Sequence, residues 1–415
     1  MKKLLRAFLA LFVLVASFPA AAQMDIYAIY RSGSGPWNDP FVPVARFGID
    51  SAVPSNVDTV FGISGVALSS STFLDGQGEY WFSGPQSTPP MDIRLVGLDV
   101  NSGQYNVGNA LQGTVNEYQY DMQTQILYGL GNYIYAYDSL LNIPDYRSRM
   151  VRVDFTTGTL TEIVKFSHIT GVVSGNSTFD SDSSYFYFQG ITDQFQNRLY
   201  KVQASNGAIV DSLDLITPAN TYFNEWEYDQ ATGVLYGLYR DNNANTISLA
   251  SLDFGTGAIT TVTTIPNIMG LTPGASDFDH LTGQFIMLGF MTNGDLRFIR
   301  VDVNSGLVFQ SPPINGYVIE FEIDNSRFAS NRYGVSSVPE WSTASARLFP
   351  NPSGQSAATL QSDEPCTYTL YNAQGQAMQT SFAPATEHSL SSEQLAPGIY
   401  LVQLSTGQRL KWMVK

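Results

Sequence analysis

The side chains that most often carry catalysis or bind metals are few in this chain, and they are not spaced for either task. Its three histidines, His168, His280 and His388, lie in no His-Glu-x-x-His pattern and in no pair spaced for zinc. His280 follows Phe278-Asp279 at a turn, where we expect a surface side chain rather than a ligand. The sequence also lacks a Gly-x-Ser-x-Gly elbow and a Gly-x-x-x-x-Gly-Lys phosphate loop. We therefore assign no catalytic residue and no metal ligand.

Carboxylates and aromatic rings are the remaining candidates. Two acidic clusters, Asp180-Ser181-Asp182-Ser183 and Asp241-Asn242-Asn243 with Asn245, offer oxygen ligands for calcium but lack the complete loop pattern. We favour hairpin turns at both, with a structural calcium ion as the alternative and no other cofactor. Rings that could stack on sugars pack more often in a core. They are Trp37, Tyr222, Phe223, Trp226 and Tyr239.

A short phrase recurs along the chain at intervals of about 50 residues, a period that suits β-strand repeats. Each copy alternates like a strand and ends in a turn with glycine in a fixed position. Glycine there predicts a backbone with positive φ. The aspartates that precede these turns are interpreted as turn residues that bond nearby N–H groups. The five glycines are Gly103, Gly158, Gly207, Gly257 and Gly306.

A second strand-turn-strand phrase lies between the copies of the first and places an aspartate at each turn. Two hairpins in each unit make four strands, which is the content of one propeller blade. The six aspartates predict six units, and they are Asp75, Asp121, Asp180, Asp229, Asp279 and Asp324.

The sequence therefore predicts an all-β chain with a six-bladed β-propeller and then a small C-terminal antiparallel β-sandwich. The N-terminal strand Asp25 to Arg31 and the last copy, Val318 through Asp324 to Phe328, are each incomplete. Joining them would complete one blade and cover two open sheet edges. A seventh blade stays open as an alternative, because Trp37 to Ile63 is irregular.

The first residues have the pattern of a secretory signal peptide. A basic head is followed by the apolar stretch Ala7 to Ala16 and by small residues up to Ala22. We expect residues 1–22 to be removed between Ala22 and Gln23. No later segment is long and apolar enough to span a bilayer, so we expect no transmembrane segment in the mature chain.

Composition limits the partners. The 415 residues carry a net charge of −15 without a basic cluster beyond the signal head, which argues against nucleic acid and anionic membranes as partners. Cys366 is the single cysteine, so no intramolecular disulfide can form. The content of aromatic residues, 13%, suits packing between blade sheets.

The repeat ends before a segment of small residues, which predicts a propeller over 23–333, a linker over 334–346 and a separate domain over 347–415. The last segment contains Leu348-Phe349-Pro350-Asn351-Pro352-Ser353, Leu370-Tyr371-Asn372-Ala373-Gln374-Gly375 and Leu395-Ala396-Pro397-Gly398-Ile399-Tyr400-Leu401, and it ends in Lys411-Trp412-Met413-Val414-Lys415. In this order the motifs resemble the type A C-terminal sorting domain of the type IX secretion system.

The resemblance implies a bacterium of the Bacteroidetes type, transport through the periplasm, and release or attachment at the outer-membrane surface. Its partner would be the type IX secretion machinery. The motif residues can also serve folding alone: Pro350 and Pro352 fix φ, Gly375 and Gly398 form turns, and Tyr400 packs inward. Lys411 and Lys415 are the candidates for exposed recognition.

Three functions remain open from the sequence. The first is a propeller that binds an extracellular glycan or protein, because this needs no catalytic constellation. The second is a propeller enzyme that acts on polysaccharide or peptide, and it needs carboxylates that converge at one mouth. The third is a structural or adhesive surface protein. The ligand-binding residues are not identified by the sequence.

Overall fold

The structure is a computed structural model that describes residues 24–32, 41–67, 69–111, 113–138, 143–154, 157–215, 218–335, 346–349, 357–372, 377–381, 383–392, 395–404 and 409–414. The chain divides into two compact units, residues 1–338 and 339–415. The predicted cleavage site, Ala22 and Gln23, lies outside the described residues.

The described part of the first unit forms six four-stranded antiparallel sheets, which are the blades of a propeller. Blade 1 contains β24 Tyr317–Ile323, β1 Asp25–Arg31, β2 Phe41–Gly48 and β3 Pro54–Phe61; blade 2 contains β4 Ser71–Leu74, β5 Glu79–Pro85, β6 Ile93–Asp99 and β7 Tyr105–Ala110; blade 3 contains β8 Val115–Asp121, β9 Ile126–Asp138, β10 Ile143–Asp154 and β11 Thr159–Phe166.

The other three blades follow the chain in the same way, each from its inner strand outward. Blade 4 contains β12 Ile169–Asp180, β13 Tyr185–Thr192, β14 Asn197–Gln203 and β15 Ile209–Asp214; blade 5 contains β16 Thr221–Asp229, β17 Val234–Asp241, β18 Thr246–Leu252 and β19 Ile259–Thr264; blade 6 contains β20 Ile268–Asp279, β21 Gln284–Met291, β22 Leu296–Asp302 and β23 Val308–Gln310.

The two ends of the repeat region join in blade 1, as predicted. β24 pairs with β1 in antiparallel register, with Ile323 opposite Ile26 and Phe321 opposite Ala28. The irregular segment that suggested a seventh blade supplies β2 and β3, the outer strands of this same blade. The pairing leaves no inner strand of the ring without neighbours.

Aromatic stacking repeats from blade to blade. At four junctions a tyrosine on the second strand of one blade stacks on an aromatic ring of the next blade's inner strand, with centroids 5.3–5.7 Å apart. Such pairs add stability beyond the apolar area they bury. The pairs are Tyr27 with Phe73, Tyr128 with Phe179, Tyr187 with Tyr228, and Tyr236 with Phe278.

The turns have the predicted chemistry. The five repeat glycines have φ between +69° and +73°, a region in which a Cβ is disfavoured. Asp302 shows the role of the preceding aspartates, because its Oδ1 accepts hydrogen bonds from the backbone N–H groups of Asn304 and Ser305, both at 2.9 Å. Asp99 and Asp253 accept the same pair of bonds in their turns.

The chain after Asp324 differs from the prediction. The sequence pattern predicted a strand up to Phe328, but the structure has helix α1, Ser326–Tyr333, with Gly334 at its C-terminal cap. The physical reason is that β1 already occupies the second position of blade 1. The chain is therefore free to leave the sheet and fold as a helix.

The second unit is a small sandwich of two sheets. The strands are β25 Ala346–Phe349, β26 Ala358–Cys366, β27 Tyr368–Tyr371, β28 Ala377–Thr380, β29 Ala385–Leu390, β30 Gly398–Leu404 and β31 Arg409–Val414. One sheet has the order β25-β26-β29 and the other β28-β27-β30-β31. Both sheets contribute to one buried cluster that includes Cys366, Tyr400 and Trp412. Within the described ranges, no helix has the length and apolar character needed to cross a membrane.

Candidate functional site

The propeller has two distinct ends. The inner strands β4, β8, β12, β16, β20 and β24 all begin at one end, which we call the open face. They finish at the other end, which we call the helix face because α1 lies there. Turns between the first and second strands belong to the helix face, and turns between the second and third strands belong to the open face.

A relay of hydrogen bonds runs around the helix face. After five of the six turn aspartates, the next residue donates its N–H to a side chain of the following blade; Gly76, after Asp75, donates instead to Ser326 Oγ of α1 at 2.8 Å. The bonds are Met122 N to Ser181 Oγ at 3.0 Å, Ser181 N to Gln230 Oε1 at 3.0 Å, Gln230 N to His280 Nδ1 at 3.4 Å, His280 N to Asn325 Oδ1 at 3.1 Å, and Asn325 N to Asp75 Oδ1 at 2.7 Å.

The prediction that His280 is a surface turn residue is wrong. His280 is only 7% exposed, and its ring packs against Phe278 and Phe328. Burial, with a smaller contribution from the positive charge of Arg332, lowers the pKa of His280 to about 3. The imidazole is therefore neutral and accepts the Gln230 N–H, which is a structural role.

Helix α1 packs over this relay. Phe328 and Ala329 join a buried cluster with Tyr120 and Met122 of blade 3. Arg332 forms a hydrogen-bonded ion pair with Asp182 of blade 4, and this bond is the main reason that the pKa of Asp182 is lowered. The helix thus contacts blades 2, 3, 4 and 6, and it covers the helix face.

Three glutamates lie around the axis on alternate blades. Glu117, Glu225 and Glu320 belong to blades 3, 5 and 1, and each accepts a backbone N–H from the inner segment of the following blade. The donors are Gly175 at 2.9 Å to Glu117, Gly274 at 3.1 Å to Glu225, and Ser69 to Glu320. Burial raises the pKa of Glu117 and Glu225 to about 8 and that of Glu320 to about 7.

A second set of carboxyl groups lies closer to the helix face. Ser276 Oγ donates to Glu227 at 2.9 Å, and Ser71 Oγ donates to Glu322 at 2.7 Å. Asp277 accepts the N–H of Ile323 at 2.6 Å. Burial raises the pKa of Asp277 to about 7, and burial together with the Asp277 charge raises the pKa of both Glu227 and Glu322. These groups connect blades 5, 6, 1 and 2.

The sequence contains a pattern that predicts these buried glutamates, but it appears in every second repeat unit and not in consecutive ones. Alternate inner strands share the pattern Glu-x-Glu or Glu-x-Gln two residues before the turn aspartate. It occurs as Glu117-Tyr118-Gln119-Tyr120-Asp121, Glu225-Trp226-Glu227-Tyr228-Asp229 and Glu320-Phe321-Glu322-Ile323-Asp324. The intervening blades have a serine at the matching position, such as Ser177 or Ser276, whose hydroxyl donates a hydrogen bond to one of these glutamates. The propeller therefore has approximate threefold symmetry in its hydrogen bonds.

The axis is narrow at the level of the first glutamates. A Cβ placed on Gly175 would lie 2.5 Å from the backbone N of Gly274, and one on Gly274 would lie 2.5 Å from Ser69 Oγ. Backbone from blades 2, 4 and 6 therefore meets at the axis. The carboxyl groups lie at this constriction or on its helix side, so a ligand on the open face does not meet them as a converging catalytic pair.

The open face carries exposed apolar side chains from every blade. Phe195, for example, is 87% exposed in the turn between β13 and β14. The nine side chains are Phe61 and Tyr317 from blade 1, Met91 from blade 2, Ile134, Tyr135 and Tyr146 from blade 3, Phe195 from blade 4, Tyr222 from blade 5 and Met269 from blade 6.

A cleft of about 470 Å³ opens on this face between blades 4 and 5, a size within the usual range of ligand sites. Tyr222 and Arg240 lie directly opposite each other on β16 and β17. Blade 4 contributes Gln189 and Asn197. The other lining residues are Val173, Leu215, Thr221, Phe223, Asn224 and Asn242.

The five candidate aromatic residues have different positions. Phe223 and Trp226 are buried and in edge contact at 4.2 Å. Tyr239 is half-buried and packs against Phe223. Tyr222 is 56% exposed and lines the cleft, whereas Trp37 lies outside the described residues. Tyr222 is thus the one of the four described rings that is available to a ligand.

The acidic clusters form turns. Asp180 Oδ1 accepts the N–H groups of Asp182 and Ser183, and Asp241 Oδ1 accepts those of Asn243 and Ala244. These bonds are the turn chemistry that the sequence favoured. Across the part of the chain that the structure describes, no three His, Cys, Asp or Glu side chains converge as a metal site.

The motif residues of the second unit are partly described. Tyr400 is buried, and its hydroxyl donates to the Ala396 carbonyl at 2.8 Å. Tyr371 ends β27, and Gly398 begins β30. Asn372 follows β27, and Ile399 and Lys411 lie in strands β30 and β31. The predicted motif residues Pro350, Asn351, Pro352, Gly375 and Lys415 lie outside the described residues.

A propeller with one covered face, followed by a small sandwich, defines the class of this protein. Residues 347–415 match the family model of the secretion system C-terminal sorting domain. This segment is a type IX secretion sorting domain, and it directs the protein to the cell surface or the extracellular space.

One solved structure supports the propeller fold, and others are similar at a lower level. TolB from Acinetobacter baumannii is 12% identical, covers 76% of this chain and 70% of its own, and superposes with a TM-score of 0.50. A putative TolB from Agrobacterium tumefaciens (10% identity, 69% and 87% coverage, TM-score 0.44) and an oligogalacturonate lyase from Vibrio parahaemolyticus (10%, 70% and 79%, 0.42) are more distant. At these identities the likeness concerns the fold alone. A sequence comparison with curated proteins gives no match.

Proposed function

We propose that the propeller is an extracellular binding module that holds a ligand, most directly a glycan, on its open face. The observation that carries this proposal is the distribution of exposed apolar side chains, since each of the six blades places at least one on that face. At the helix-face end the exposed apolar side chains come from only four blades, and α1 packs there. They are Val53, Tyr105, Ile209, Val210, Leu281, Leu307 and Phe309. A ring of contacts from all blades suits an extended ligand.

The chemistry of the exposed side chains favours a glycan over a protein. Six of the nine open-face side chains are aromatic: Phe61, Tyr135, Tyr146, Phe195, Tyr222 and Tyr317. Aromatic rings present flat apolar area at a low cost in conformational entropy, and tyrosine adds a hydroxyl for polar contacts. The cleft adds amide side chains beside them. A protein ligand is the other outcome of the binding test.

The geometry supports binding better than hydrolysis. A propeller glycosidase needs two carboxyl groups that face the scissile bond. The carboxyl groups with raised pKa, such as Glu117 and Glu225, bond to backbone of the next blade at the axis. They are engaged in holding blades together. A structural or adhesive role would leave the open face without a specific ligand.

The proposed domain organisation is the one that the sequence predicts. Residues 1–22 act as a signal peptide, residues 23–333 bind the ligand, residues 334–346 link, and residues 347–415 sort the protein. The cell is a Bacteroidetes-type bacterium, and the protein passes through the periplasm. The sorting domain supports this route because its partner is the type IX secretion machinery.

The test is a binding screen of the exported protein against immobilised extracellular polysaccharides and surface proteins. One variant combines Phe195→Ser, Met269→Ser and Tyr317→Ser on the open face. Its matched control combines Val53→Ser and Leu281→Ser on the helix face. We expect the open-face variant to bind at least about tenfold more weakly, since several apolar contacts are lost. Equal binding by the open-face variant, or loss in the control alone, would overturn the proposal.

A further inference from the structure

We propose that the cleft between blades 4 and 5 is a subsite for the uronic-acid residues of an acidic polysaccharide. The inference rests on the proposed function and adds the class of sugar. It is carried by four groups that line the cleft: the guanidinium of Arg240, the amides of Gln189 and Asn224, and the ring of Tyr222. Arg240 offers a positive charge, the two amides offer polar groups, and the Tyr222 ring offers apolar surface, which together match the parts of an acidic pyranose.

Arg240 supplies a cation without a carboxylate partner. Its Nε donates to Asn242 Oδ1 at 2.7 Å, and no described carboxylate lies within ion-pair distance of the guanidinium. Arginines at the same end of the neighbouring blades are paired, Arg198 with Asp214 and Arg297 with Asp295. In a chain with net charge −15, an unpaired arginine at a cleft is suited to bind a carboxylate in a bidentate manner.

Gln189 supplies an oriented hydrogen-bond donor. Its side chain is only 7% exposed, and its Oε1 accepts the indole N–H of the buried Trp226 at 3.3 Å. Because an indole N–H can only donate, this bond fixes which end of the amide faces Trp226. The NH₂ group has no protein partner among the described residues. An amide nitrogen of a side chain that lines the cleft can donate to water or to a ligand.

Asn224 supplies the complementary acceptor. Its Oδ1 is buried and has no hydrogen-bond partner in the described part of the protein. A sugar hydroxyl donates and accepts at the same oxygen, so it suits a cleft lined by amide side chains such as Asn224 and Gln189. Asn197, Thr221 and Asn242 add further polar groups at the rim.

Tyr222 supplies the apolar surface. It lies directly opposite Arg240 in the β16–β17 ladder, and side chains at opposite positions project from the same side of a sheet. The exposed ring can therefore stack on a pyranose face while Arg240 reaches a carboxylate of the same or the adjacent residue. A neutral sugar would leave Arg240 unpaired in the complex, which is why the proposal specifies a uronic acid.

The test uses isothermal titration calorimetry of the exported protein with alginate, polygalacturonate and hyaluronan, each beside its carboxyl-reduced form. We expect at least one acidic polymer to bind at least about tenfold more tightly than its reduced form. Arg240→Gln should remove this difference, whereas Arg198→Gln, at the paired arginine of blade 4, should keep it. Thermal unfolding of each variant confirms that it folds.

Three outcomes would overturn the subsite. They are equal binding of acidic and reduced polymers, acidic binding that Arg240→Gln leaves unchanged, and no binding of any of the three acidic polymers to the wild-type protein. None of these outcomes contradicts the open-face proposal, provided that the triple variant at Phe195, Met269 and Tyr317 no longer binds the ligand identified in the screen. If the triple variant still binds both the ligand from the screen and the acidic polymer, the open face is not the binding surface.

Discussion

Gly175 and Gly274, from blades 4 and 6, meet at the propeller axis, where a Cβ on Gly175 would lie 2.5 Å from the backbone N of Gly274. Both residues have positive φ, +73° and +72°. Their N–H groups donate to Glu117 and Glu225 of the preceding blades. One close approach therefore narrows the channel and positions two buried carboxyl groups.

We predict that Gly175→Ala destabilises the protein by about 3 kcal/mol. Alanine is unfavourable at this positive φ, and its Cβ would overlap the backbone of Gly274. Gly171→Ala is the matched control on the same strand, since nothing lies within 4 Å of its Cβ position. Denaturant unfolding at neutral pH measures both variants. A cost for Gly175→Ala no larger than that of the control would show that the axis has more room than the structure indicates.

The buried carboxyl groups predict a stability that falls as the pH rises. Burial raises the pKa of Glu225 from 4.5 to about 8, so the folded protein holds a proton that the unfolded chain releases. The contribution to stability is complete below pH 4.5 and is lost as the pH rises through 8. Between pH 5 and 8 we expect the free energy of unfolding of Glu225→Gln to fall less steeply with pH than that of the wild type, by about 1 kcal/mol per pH unit.

The control for this prediction is Asp193→Asn, which changes an exposed carboxyl group in the turn after β13. Urea unfolding curves collected from pH 5 to 8.5 give the slope for each protein. If Glu225→Gln and the wild type lose stability in parallel over this range, Glu225 is not protonated in the folded state.

The relay at the helix face predicts which substitutions His280 tolerates. Gln230 occupies the equivalent turn of blade 5, and its Oε1 accepts the N–H of Ser181. His280→Gln should therefore keep an acceptor for the Gln230 N–H. His280→Leu leaves that buried N–H unpaired and should cost about 2 kcal/mol more. If the two variants have the same melting temperature, the relay does not contribute to stability.

The fold could be predicted because its determinants are local and repeated. Gly257 and Asp253 specify one turn within five residues, and the same pair recurs in other blades. The closure of the ring followed from two incomplete units, β1 and β24. Alternation along each strand and glycine at each turn are properties of adjacent residues, and a sequence displays them directly.

The candidate site could not be predicted because its groups come from different blades. Gln189 and Arg240 are distant in the sequence, and the unpaired state of each depends on its surroundings in the fold. The burial of His280 depends on α1, which contributes Phe328 from another unit of the repeat. The alternating Glu-x-Glu pattern was visible, but it appears only when every second unit is compared.

The most direct test of the open face is hydrogen exchange of the exported protein, measured by mass spectrometry with and without the polysaccharide that it retains most strongly. Binding slows exchange where backbone becomes less accessible or less mobile. The account predicts protection in the open-face segments 86–92, 193–197 and 219–224. It predicts none in α1 or in the helix-face turns. Protection confined to α1 and those turns would contradict the central claim that the open face binds the ligand.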